Sequence, residues 1–173
     1  GVDPSTTTAA LVRGCVVEDD PGWAYVNHSS HVDFIDNVSY HVVGGAFQTE
    51  SGDEIGSFIR NIAIRTVNPD YPLLDPDNLA VDTRESSQDF AFQGDGFWFH
   101  GGALTITDNV ASGSSGHGFI FWTEGQREVG TEFWLQNMFK VANIAHADLL
   151  PGLENIQSWW VPLQEFRNNT TYA

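Results

Sequence analysis

The sequence predicts an all-β fold, a parallel β-helix of about five to six coils, and three observations predict it. Short apolar runs broken by Gly, Asn and Asp return along the chain at a period of roughly two dozen residues, the signature of a solenoid. The runs are rich in Val, Ile and Phe and too short for helices. Leucines are few and form no LxxLxL pattern, which sets aside a leucine-rich repeat. In a β-helix each coil stacks about 4.8 Å above the last, so equivalent side chains form ladders along the axis.

The coils follow in order. Ala10 to Ser30 reads as the first, with a Pro21-Gly22 turn. Val32 to Phe58 is the second: Phe34, Ile35, Val38 and Tyr40 surround Asn37, Gly44-Gly45 turns the chain into Ala46-Phe47, and an acidic turn runs from Glu50 to Glu54. Asn61 in FIRNIAIRT and Asn109 in ITDNVASGSSGHGFIFW mark later coils, and Gly14 aligns with Asn37 in the first. Asn37, Asn61 and Asn109 are therefore expected to form a ladder whose amides hydrogen-bond from coil to coil, because buried polar groups require partners. FRNNTTYA opens a further coil without completing it. The chain, residues 1–173, is expected to be one β-helix domain and a piece of a longer protein, or one chain of an assembly whose neighbour completes the stack.

Two stretches break the rhythm. Residues 65–93 carry three prolines and many acids, the composition of a long excursion from one corner; Asp70, Asp75, Asp77 and Asp82 lack EF-hand spacing and read as a solvated loop. Residues 131–161 form the second insertion, with a short helix expected over roughly Glu132 to Leu149, ahead of Pro151-Gly152. Trp134, Trp159 and Trp160 there suit either a cover for the core or a sugar-stacking platform, and the cover is the plainer expectation. Cys15, the single cysteine, excludes an internal disulfide and reads as a small core residue.

With 23 Asp and Glu against 7 Lys and Arg, the formal net charge is -16. Such a surface repels nucleic acid and anionic membranes, since phosphate binding needs clustered cations. No stretch approaches the roughly 20 apolar residues of a membrane span. Sequons begin at Asn27, Asn37, Asn168 and Asn169; Asn37 is expected to be silent in the ladder, leaving Asn27, Asn168 and Asn169 as glycosylation candidates in a secretory host.

The ordered motifs GWAYVNHSSHVDFIDNVSYHVVGGAFQTESGDEIGSFIRNIAI, GDGFWF, NVASGSSGHGFIFW and VPLQEFRNNTTYA resemble the β-helix of the cell-migration-inducing hyaluronan-binding proteins. They are similar too to the family's transmembrane hyaluronidase relatives and its secreted bacterial and algal homologues. The resemblance implies a right-handed parallel β-helix in an extracellular or cell-surface protein that binds or cleaves hyaluronan or a similar polysaccharide, with calcium as the expected cofactor. His28 matches a family histidine, and Gly44, Phe47, Glu50, Gly52 and Glu54 match its GHxFFxEDGxExxN motif. Gly45, Ser51 and Ser57 replace that motif's His, Asp and Asn.

Glycosidic cleavage needs two carboxylates flanking the bond, one of them kept protonated. Glu50 with Asp53 or Glu54 is the candidate pair, and His28 and His117 are the candidate acid-base histidines of a glycosidase or lyase, with His100 as a further neighbour. Glu50, Asp53 and Glu54 are the candidate calcium ligands, and a bridging cation would also offset the repulsion between this chain and an anionic glycan. The losses at Gly45 and Ser51 tilt the expectation toward binding without catalysis. The alternative is a non-catalytic structural module of a cell-surface or filamentous protein, whose partners are neighbouring β-helix segments or copies of itself.

Overall fold

The computed structural model describes residues 8–68, 93–123, 126–127, 134–135, 138–143 and 147–173. The first coil runs through β1 (Ala10–Arg13), β2 (Val16–Glu18) and β3 (Tyr25–Asn27), and the second through β4 (His31–Ile35), β5 (Val38–Tyr40) and β6 (Gly45–Thr49). The third contains β7 (Ile55–Ile59), β8 (Ile62–Ile64) and, beyond the first insertion, β9 (Asp95–Phe99). The fourth contains β10 (Leu104–Thr107), β11 (Val110–Ser112) and β12 (Phe119–Phe121). Beyond the second insertion, β17 (Glu165–Arg167) and β18 (Thr170–Tyr172) begin a fifth. Strands one coil apart pair in parallel, giving three sheets in the orders β1-β4-β7-β10-β17, β2-β5-β8-β11-β18 and β3-β6-β9-β12. This is the parallel β-helix that the period predicts. The third coil starts at Ile55 rather than at Phe58, since His31 of β4 stands opposite Ile55.

Parallel register turns sequence repetition into columns of like side chains. Tyr25, Phe47, Phe97 and Phe119 stack with centroids 4.6, 4.8 and 4.6 Å apart and ring planes within 9° of parallel. Such pairs contribute about 0.5–1.5 kcal/mol each beyond the area they bury. Phe34 and Phe58 fill the first sheet's inner column, while Ser39, Ala63 and Ala111 keep the second sheet's inner column small. Alternating bulk in this way lets three sheet faces pack onto one core.

The corner between the first and second sheets is the most regular part of the coil. Gly14, Asp36, Arg60, Asp108 and Asn168 all have φ between 53° and 67°, a left-handed conformation that reverses the chain in one residue at a steric cost of about 1–2 kcal/mol for those with a Cβ. The next residue offsets that cost. Asn61 donates its backbone N–H to Asn109 Oδ1 at 2.9 Å and its side-chain amide to Phe34 O at 2.9 Å and Asn109 Oδ1 at 3.1 Å. Its own Oδ1 accepts the backbone and side-chain N–H groups of Asn37, both at 3.0 Å. Asn37, Asn61 and Asn109 are the expected rungs, and Asn169 is a fourth, accepting from Asn109 N at 3.0 Å.

The structure shifts the first coil by one residue: Cys15, not Gly14, stands opposite Asn37 and donates its N–H to Asn37 Oδ1 at 3.0 Å. Cys15 is also exposed rather than a core residue, because it lies in the first described coil and is stacked by a described rung on one side alone, whereas Asn37, Asn61 and Asn109 in the same column are buried; its thiol donates to the carbonyl of Arg13 at 3.6 Å.

The helix expected over Glu132–Leu149 is not what the described part of that stretch forms. It contains β14 (Trp134–Leu135), paired antiparallel with β13 (Gln126–Arg127), and β15 (Met138–Lys140), paired antiparallel with β16 (Asn155–Gln157). Short 3-10 turns follow at Val141–Asn143 and Ala147–Leu149. Phe139 and Val141 are buried and Lys140 is exposed, a period of two that suits a strand, and the buried pair packs with Ile55, Ala103 and Val161 against the solenoid's side. Most of the first insertion, including Asp70, Asp75, Asp77 and Asp82, lies outside the described residues.

One glycine shows how tightly the coils approach. Gly56 has φ +123°, and a Cβ there would lie 2.0 Å from Val32 O. Gly56→Ala is expected to destabilise the fold by about 3 kcal/mol, read as a lower urea midpoint with an unchanged slope.

Candidate functional site: the corner between the third and first sheets

The strands β3 and β6 deliver His28 and Glu50 to equivalent positions in neighbouring coils. His28 Nδ1 lies 2.8 Å from Glu50 Oε2, with the imidazole largely exposed and the carboxylate half-buried. Two of the expected site residues are thus in contact, 22 residues and one coil apart.

Glu54 has another task. Its Oε1 accepts the backbone N–H groups of Ser29, Glu50 and Ser51, and its Oε2 that of Gly52 at 2.7 Å, so one carboxyl closes the turn Glu50–Glu54 and ties it to the first coil. The side chain is buried. Burial pushes its pKa above the usual carboxylate range, against the opposing pull of the Ser51 and Ser29 hydrogen bonds. A carboxyl committed to four backbone donors is not presented to a glycosidic bond, which leaves the half-buried Asp53 as the other expected partner of Glu50. Nor do Glu50, Asp53 and Glu54 fit calcium, which needs several oxygens converging from one side, whereas Glu54 points into its own turn. Among the described residues, no group of three or more His, Cys, Asp or Glu side chains is placed to hold a metal ion.

The other predicted histidines lie elsewhere. His117 precedes β12 and stands against Asp95, at the opposite end of the third sheet's strands from His28. Three coil spacings of about 4.8 Å and five residues at about 3.3 Å put the two roughly 20 Å apart, too far to act on one bond. His100 follows β9 in the column of His28 and Glu50, but it is buried and stacked on Trp98 at 5.4 Å. Burial pushes its pKa down to about 4, so it is neutral at physiological pH.

Sequence reasoning missed two histidine-carboxylate pairs. Asp95 is buried, and its Oδ1 accepts the backbone N–H of His117 at 2.8 Å while standing 2.9 Å from its Nδ1. Asp19 Oδ1 stands 2.6 Å from His41 Nδ1. In all three pairs the histidine and carboxylate are 22 residues apart, so a His and an acid one coil apart was the signal that could have found them.

Trp122 follows β12 in the column of His28, Glu50 and His100. Ser158 Oγ donates to Thr123 O at 3.3 Å, and the Ser158 Cβ lies 3.1 Å from where a side chain on Gly52 would begin. The 3-10 turn Ser158–Trp160 is thereby held against the Glu50–Glu54 turn and bonded to Thr123, the chain neighbour of Trp122. Trp122, Trp159 and Trp160 are exposed rather than covering the core. For Trp134 the structure describes the backbone alone.

Of the glycosylation candidates, Asn27 is buried with its amide donated to Ile55 O at 3.3 Å, which leaves no room for a glycan. Asn169 is a ladder rung whose amide donates to Ile106 O, so it too is spent. Asn168 is exposed, with its amide on Asp108. No helix among the described residues is long and apolar enough to cross a membrane.

Compared with known proteins, the chain matches the model of the CEMIP β-helix family over residues 2–173. Searches of curated proteins and of solved structures returned no match.

Proposed function

The chain belongs to the CEMIP β-helix family, and on that premise we propose that it is an extracellular or cell-surface module that binds a hyaluronan-like polysaccharide without cleaving it. The observation that carries the second half is the state of Glu54: the matched carboxylate is consumed by four backbone N–H groups, leaving Glu50 with His28 and, of the expected partner acids, only the half-buried Asp53, at a position where the family motif has no acid. Gly45, where the family motif carries a histidine, is buried and paired with Asp95 in the next coil.

The test is incubation with a panel of anionic and neutral polysaccharides, with and without calcium. Retention of the protein on at least one polymer is expected, with the polymer's molar mass unchanged. A falling molar mass would overturn the non-catalytic assignment. Because protein and hyaluronan are both polyanions, their association should strengthen on going from low to physiological salt, as screening removes repulsion.

A second reading, a structural module that associates with copies of itself, is favoured by the exposed Val16, Tyr40, Ile62 and Tyr172 along the second sheet. Concentration-dependent association in sedimentation, without retention on any polysaccharide, is its expected signature.

A further inference from the structure

We propose that Trp122, Trp159 and Trp160 form the saccharide platform of this module and that it recognises the uncharged faces of pyranose rings rather than their carboxylates. The proposal rests on the glycan-directed reading above and names the site and the chemistry of its ligand.

Placement comes first. Trp159 and Trp160 lie between two buried anchors: Ser158, fixed to Thr123 O and packed at the Gly52 turn, and Val161, which belongs to the satellite core with Ile55, Ala103 and Phe139. The backbone of Val161 closes on Gly102, where an added Cβ would stand 2.9 Å from Val161 O. A turn held at both ends nevertheless leaves Trp160 70% exposed. Trp122 is 45% exposed and joins the corner through its neighbour Thr123. Indoles on a rigid, anchored turn lose little conformational freedom when a ligand stacks on them, which is the condition under which aromatic contacts yield affinity.

Charge then decides the ligand's chemistry. A net charge of -16 opposes a polyanion at long range, so contacts to carboxylates would need local cations. Among the cations whose side chains are described, Arg13, Arg60 and Arg167 belong to the corner between the first and second sheets and are paired with Asp36 and Glu165. Arg65 follows β8 at the corner between the second and third sheets, and Lys140, exposed on β15, stands opposite Asn155, three residues before the Ser158–Trp160 turn. At the aromatic corner the neighbouring pair is His28 with Glu50, which adds an acid. Axial C–H faces of a pyranose against an indole require neither a cation nor desolvation of a carboxylate, and N-acetylglucosamine, the neutral half of a hyaluronan repeat, presents such a face.

The experiment uses the full chain with two probes, N-acetylglucosamine hexamer and a hyaluronan decasaccharide, followed by calorimetry and tryptophan fluorescence. The neutral probe is expected to perturb the fluorescence. Trp159→Ala combined with Trp160→Ala should weaken binding of both probes about tenfold or more, typical for aromatic anchors, with the melting temperature within about 3 °C because both side chains are exposed. Trp160→Phe should recover part of the affinity and remains informative if the double variant fails to fold. Equal binding by wild type and variants would overturn the platform while leaving the glycan-binding function standing. Hyaluronan binding that weakens steeply with salt would overturn recognition through uncharged faces. Absence of binding to any polysaccharide in the panel would overturn the function and the platform together.

Discussion

Replacing Asn61 by alanine is expected to lower the unfolding free energy by about 3–5 kcal/mol, one of the two largest single-site effects on this fold. The side chain is buried and sits in the middle of the ladder. Its removal deprives Asn37 of the acceptor for both its backbone and side-chain N–H groups and leaves Phe34 O without the amide that reaches it. Each buried polar group left without a partner costs about 1–3 kcal/mol, and the costs are not fully additive because the groups share one network. Asn169→Ala should cost about 1 kcal/mol, since that rung is half-buried. Urea denaturation of the two variants checks the contrast: similar losses at both positions would show that the ladder does not act as a buried chain of bonds.

Glu54→Ala is expected to cost about the same, about 3–5 kcal/mol, because it strips the Glu50–Glu54 turn of an acceptor serving four backbone N–H groups inside the protein. Glu54→Gln keeps one carbonyl oxygen for those donors and should cost only about 1–2 kcal/mol. The pH dependence separates the charge from the contacts. Burial raises the folded pKa of Glu54 above its ordinary 4.5, so the protonated form is favoured in the folded protein relative to the unfolded chain. Its stabilising contribution is fully present below the unfolded value and is lost as pH rises through the folded value. Asp36 has the opposite sign: the Arg60 hydrogen bond holds its carboxyl below 3.8, so its contribution is present above that value and lost as pH falls through the folded one. Wild type should therefore gain stability from Glu54 as pH is lowered from 7 toward 4.5, and Glu54→Gln should lack that gain. Parallel pH profiles for the two proteins, followed by thermal denaturation, would contradict the assignment.

Much of the scaffold was legible because a solenoid repeats its physics. A buried Asn one coil apart from the next, with a left-handed residue before it, solves the same corner at Asp36-Asn37, Arg60-Asn61 and Asp108-Asn109, and repetition makes it visible. The candidate site was less legible because it depends on features that do not repeat. Glu50 and Glu54 are both acids in one turn, yet one faces His28 and the other turns onto the backbone, a choice made by four N–H groups converging on one point. His28 and His117 both follow Gly- or Asn-containing stretches, yet register sends them to opposite ends of a sheet.

By itself the sequence determined the repeat, the parallel sheets and the asparagine ladder, since each follows from residue types recurring at one period. Only the tertiary structure decided that Cys15 rather than Gly14 enters the ladder column, that the second insertion pairs as strands against the solenoid's flank, and that Trp159 and Trp160 face water. The physical reason is one of range. Periodicity constrains what each coil has in common with the next, whereas the direction of a turn side chain and the exposure of an insertion depend on contacts between residues far apart in the chain, which no local pattern encodes.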